Sequence, residues 1–87
     1  MPGDYTLFMQ LDAVSLYRSL RHSEKAPLEA YFNHLENYPQ LKGETTERDS
    51  IGRVVQVKFV GKFKVAYWAD HAVKEIKVLK LERLPRR

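Results

Sequence analysis

The spacing of apolar positions changes once along the chain, and the change divides it into two halves. In the first half the period is helical. Leu11, Val14, Tyr17 and Leu20 recur three or four residues apart, so residues 12–22 read as a short helix. Asp12 is placed to cap it, because a carboxylate can accept from the free N–H groups of a first turn. Ser23-Glu24-Lys25-Ala26 reads as a turn. Leu28, Tyr31, Phe32 and Leu35 then form the stripe of a second helix, with Glu29, Asn33, His34 and Glu36 on its other side. Pro27 suits the first turn of that helix, where its missing N–H costs nothing, and Pro39 ends it. Ahead of both helices, Tyr5-Thr6-Leu7-Phe8-Met9-Gln10 is rich in β-formers and reads as a strand.

Residues 40–51 are polar and lack periodicity, which predicts a loop. From Arg53 the period becomes two. Arg53–Val60 alternates Val55, Val57 and Phe59 with Gln56 and Lys58. Gly61-Lys62 is a hairpin link, with glycine supplying positive φ. Phe63–Ala69 alternates Phe63, Val65 and Tyr67 with Lys64, Ala66 and Trp68. Asp70-His71-Ala72 is a second turn, Val73–Leu81 a third strand, and residues 82–87 a frayed tail. Strands joined by such short turns form an antiparallel meander. The expected architecture is a single α+β domain over residues 1–87. It is a two-layer sandwich of β-α-α-β-β-β order, with the helical hairpin on one sheet face and the first strand at a sheet edge.

Charge follows the same division. Residues 51–87 carry ten Lys and Arg against three acids, a net +7, while residues 1–50 carry a net −3. Clustered cations on a sheet attract phosphate or carboxylate partners. The chain has no cysteine, so a disulfide framework and thiolate metal sites are excluded. No apolar run approaches the ~20 residues of a membrane span, and the N-terminus lacks a signal-peptide pattern. A cytoplasmic protein without membrane contact is expected.

Few residues suggest enzyme chemistry. Phosphate-loop, zinc-protease and nucleophile-elbow motifs are absent. His22, His34 and His71 are far apart in sequence. No metal or cofactor is expected. Glu44, Glu47 and Asp49 read as a solvated acidic loop. His71 reads as a turn residue ahead of a general base. The lysines carry more information. Residues two apart in a strand share a face, so Gln56 and Lys58 point together, and Lys64 is expected beside Lys58 across the hairpin. Lys74, Lys77 and Lys80 follow on the third strand, with Arg83 beyond its end. Two readings stand: an anion-binding face, or lysines that protect a sheet edge. Tyr67 and Trp68 are adjacent and face opposite sides. Trp68 is expected under the helix pair rather than stacked on a base among the lysines.

The run from Gly52 to Asp70 resembles the RelE/ParE toxin superfamily of type II toxin–antitoxin systems. The likeness lies in its basic strand, its glycine hairpin followed by Phe63 and Lys64, and the apolar run ending in Tyr67 and an acidic turn. Val73–Leu81 resembles the family's next strand. The resemblance implies a cognate antitoxin as partner, and messenger RNA on the ribosome, or alternatively gyrase, as target. It implies Lys58, Lys64 and Arg83 as catalytic phosphate contacts. Nucleic-acid contacts would come from Arg53, Lys58, Lys62, Lys64, Lys77, Lys80 and Arg83. RelE-like nucleases usually place a Tyr or His near the C-terminus, and Leu84-Pro85-Arg86-Arg87 holds neither. A ribosome-dependent endoribonuclease is one reading. A non-enzymatic module, gyrase-directed or inactive and antitoxin-binding, is the other.

Overall fold

The structure, a computed structural model, describes residues 4–85. Its elements are β1 (Thr6–Met9), α1 (Leu11–Ser19), α2 (His22–Asn37), β2 (Thr45–Arg48), β3 (Val54–Val60), β4 (Phe63–Asp70) and β5 (Glu75–Arg83). The expected order is present, with one strand more. The five strands form a single sheet in the order β1-β5-β4-β3-β2. β3, β4 and β5 are the antiparallel meander, and β1 joins the far edge parallel to β5.

The helical hairpin covers one sheet face. Leu28, Phe32 and Leu35 of α2 and Ala13 of α1 meet Phe63, Val65, Tyr67, Ile76 and Val78 in the main core. Burying this much apolar surface on one side is the main stabilising contribution in a domain of this size. Val55, Val57 and Ala66 form a smaller cluster on the opposite, open face, partly covered by Trp68 and Leu79.

Several boundaries differ from the sequence reading. α1 begins at Leu11, directly after Gln10, whose N–H donates to the Val78 carbonyl (2.9 Å) as the last rung of β1. Asp12 therefore lies inside the first turn and favours the helix through its charge, not as the cap. The turn expected at residues 23–26 is helical. The Glu24 carboxylate accepts from the Arg21 N–H (3.1 Å), which starts α2 at His22 and leaves Pro27 inside the helix. The expected loop at residues 40–51 contains β2, which four polar residues form by pairing with β3. The third strand begins at Glu75, because Lys74 adopts φ 56° in the preceding turn. It runs on to Arg83, so the tail is not frayed there. The Leu84 N–H donates to the Lys62 carbonyl (2.8 Å). Arg86 and Arg87 lie outside the described residues.

Candidate functional site

Hairpin register decides which cations share a face. The two-residue link Gly61-Lys62 pairs Val60 with Phe63, Phe59 with Lys64, and Lys58 with Val65. Directly paired residues point to the same face. Lys58 therefore shares the helix side with Val65, while Lys64 shares the open side with Phe59. This corrects the expectation that the two lysines are neighbours. The apolar set Val55, Val57 and Phe59 faces outward, although it alternates as cleanly as a core-facing set.

β5 reverses the same logic with a bulge. Tyr67 pairs with Val78 and Ala66 with Lys80, so Leu79 is the extra residue. A bulge lets two residues three apart share a face. Lys77, opposite Trp68, and Lys80, opposite Ala66, thus both reach the open side. Arg83, opposite Phe63, turns to the helix side.

The seven sequence-predicted residues accordingly fall into two groups. On the helix side, Lys58 Nζ lies 3.1 Å from Glu44 Oε1 and 5.8 Å from the Tyr31 ring. Arg83 donates to Glu24 (2.7 Å) and lies over the Phe63 ring. Lys62 occupies the exposed hairpin turn near Glu24. On the open side stand Lys64, Lys77 and Lys80, with Arg53 at the start of β3. Lys64 is paired with Glu47, and Glu82 lies 3.9 Å away. Lys77 donates to Asp70 (3.0 Å). Arg53 Nε lies 3.7 Å from Asp49.

Trp68 is on the open face, not under the helices. Its ring is flanked by the Arg53 guanidinium at 4.0 Å and the Lys77 ammonium at 5.0 Å. Cations over indole faces are attracted by the ring quadrupole. A nucleic-acid base can stack on Trp68 only by displacing one of them. The expectation that burial under the helices claims this residue fails because Tyr67, its neighbour, takes the inward place instead.

A cleft of about 600 Å³ opens on the same side. Val55, Ala66 and Leu79 floor it, and three cations, Arg48, Arg53 and Lys80, share its rim with two acids, Glu47 and Asp49. An apolar floor with a rim of mixed charge, cations in excess, suits a partner that presents apolar groups together with anionic ones. Sequence reasoning missed Arg48, Leu79 and the floor, because the bulge and β2 place them there.

Ionisation is shifted only where ion pairs or burial act. Glu24 is held below the usual carboxylate range by Arg83, and Asp70 by Lys77. The Glu47 carboxylate raises Lys64. Burial, with help from Glu29, pushes Tyr17 up to about 12, and burial with the Tyr31 hydroxyl raises Tyr67 further. All of these shifts move away from neutral pH. His71, in the β4–β5 turn, exchanges a 2.6 Å hydrogen bond with the Tyr5 hydroxyl through Nδ1. No group of three His, Asp or Glu among the described residues is arranged to hold a metal ion. No helix among them is long and apolar enough to cross a membrane.

This topology, a helical hairpin on one face of a five-stranded sheet, is shared with chains of two solved toxin–antitoxin complexes. A RelE–RelB complex from the archaeon Pyrococcus horikoshii contains a chain that superposes with a TM-score of 0.74, at 20% identity, over 95% of this chain and 98% of that one. A chain of the toxin–antitoxin complex RelBE2 from Mycobacterium tuberculosis does so with a TM-score of 0.73, at 17% identity, over 95% and 99%. At these identities the likeness is one of fold. No family model matches the sequence, and no curated protein matches it.

Proposed function

We propose that this protein is the toxin component of a type II toxin–antitoxin pair and that its open sheet face binds RNA or the ribosome. The fold supports this, since both similar structures are complexes of a RelE with its antitoxin partner. The observation that carries the choice of face is that Arg53, Lys64, Lys77 and Lys80 share one side of the sheet, with Arg53 and Lys80 lining its cleft. Cations on one face bind a phosphate backbone without reading its sequence. A cognate antitoxin with acidic and apolar residues would cover the same surface. Lys64 is the phosphate contact in this reading, with Lys80 beside it. Lys58 and Arg83 serve the helix side.

The second reading is a non-enzymatic module of the same fold, directed at gyrase or bound only to its antitoxin. One observation favours it over messenger-RNA cleavage: Lys58 and Arg83 lie on the helix side and Lys64 on the open side, so the three cations that the family resemblance implies for catalysis do not gather on one face. Binding thus has better support than cleavage.

Induced expression in a bacterial host, with growth and pulse-labelled protein and DNA synthesis followed together, tests both. Early arrest of protein synthesis that is relieved by Lys64→Glu with Lys80→Glu supports the RNA reading. Early arrest of DNA synthesis supports gyrase. Normal growth with soluble protein sinks the toxin assignment and leaves the binding module.

A further inference from the structure

The short strand β2 and the residues flanking it bring three acids to three different cations. Glu44 meets Lys58, Glu47 meets Lys64, and Asp49 meets Arg53. The three differ in what else they do. Asp49 also accepts the N–H groups of Ile51 (3.1 Å) and Arg53 (2.8 Å), so its carboxylate is part of the turn. Glu44 lies with Lys58, away from the cleft. Glu47 is paired with Val55 in the sheet, so its side chain is on the open face and lines the cleft. Its side-chain partner is the Lys64 ammonium.

We infer that Glu47 is an internal competitor for polyanions, occupying Lys64 until a phosphate or carboxylate ligand displaces it. This rests on the reading of the open face as an anion-binding surface and adds its regulation. The pair is accessible to solvent, with 23% of the Lys64 side chain and 34% of the Glu47 side chain exposed. Exposed pairs are weak and screened by salt. A lone anion therefore gains little by displacing Glu47, while a chain of phosphates contacting Lys64, Lys80 and Arg53 together gains from all three. β2 suits such a role. It is four residues long, pairs only with β3, and lies at the sheet edge.

The test compares wild type, Glu47→Gln, Lys64→Gln and the double variant. Affinity is measured for two probes, a fluorescein-labelled mixed-sequence 12-nucleotide RNA and heparin, across a salt series. Glu29→Gln serves as the control, because it makes the same charge change on α2. Glu47→Gln is expected to bind heparin about two- to fivefold tighter at low salt, as loss of one exposed ion pair implies. The gain should vanish in the Lys64→Gln background. An equal gain from Glu29→Gln would show a net-charge effect only and overturn the inference. So would a gain that persists without Lys64, or no heparin binding by any variant. A Lys64-dependent gain on heparin without RNA binding would uphold the competitor and refute the RNA reading separately.

Discussion

The hydroxyls of Tyr31 and Tyr67 lie 2.6 Å apart and join α2 to the centre of the sheet. Tyr67 also donates toward the Leu41 carbonyl (3.3 Å), which ties the segment after α2 to the same point. Tyr67 is 1% exposed, so its hydroxyl has no access to water as a replacement partner. Tyr67→Phe removes the shared partner of two groups. It should cost about 1–3 kcal/mol of stability, read by urea unfolding. Tyr31→Phe should cost less, because Tyr67 keeps Leu41.

Alkaline pH should unfold the protein through its tyrosines. Tyr17 and Tyr67 are both raised above the ordinary tyrosine value of 10.0 in the folded state. The folded protein therefore holds these protons more tightly than the unfolded chain. The stability linked to them is complete below about pH 10 and falls as pH rises toward and past 12. Thermal melts from pH 9 to 12 should show declining midpoints, and a shallower decline in Tyr67→Phe. Equal slopes in the two proteins would remove Tyr67 from the explanation.

The opposite limb depends on carboxylates. Glu24 and Asp70 are lowered from 4.5 and 3.8 by Arg83 and Lys77. Groups depressed in the folded state stabilise it above their unfolded values, and that contribution is lost as pH falls through the folded values. Wild type should lose stability below about pH 4.5. Glu24→Gln, which is already uncharged, should be less stable at pH 7 and show a smaller further loss on acidification. A curve parallel to wild type would mean that the Arg83–Glu24 contact does not couple the end of β5 to α2.

Gly43 has no room for a side chain. A Cβ there would lie 2.2 Å from the Val57 carbonyl oxygen, and backbone cannot move aside as a flexible side chain can. The Gly43 N–H also donates to the Gln56 side chain (2.9 Å) at this crossing. Gly43→Ala should push β2 off β3 and destabilise by about 1–3 kcal/mol. Amide exchange should rise first in residues 44–48 if the damage is local to that edge.

Trp68 is the one tryptophan of the sequence, so its fluorescence reports on the open face alone. Lys77→Ala uncovers one side of the ring, and acrylamide quenching should rise. Heparin or RNA that engages Arg53 or Lys77 should change the emission. Unaltered emission at saturating heparin would show that the bound chain passes elsewhere.

Local chemistry made much of this protein legible from its sequence. The switch from a helical to a two-residue period marks the helical pair and the meander, because burial against a partner layer imposes those periods. Gly61 marks the hairpin, and the unequal charge of the two halves marks a cationic sheet. Three features were decided only by the assembled sheet. Thr45–Arg48 carries no apolar pattern and becomes a strand through the backbone partners that β3 offers. The faces of Lys58 and Lys64 follow from the pairing of Val60 with Phe63, a register that alternation alone leaves open because both faces of β3 and β4 carry apolar residues. The bulge at Leu79 brings Lys77 and Lys80 to one side while turning Arg83 to the other. Periodicity is a property of one strand, but the face that a residue occupies is a property of two strands in register, and the cationic site depends on the second.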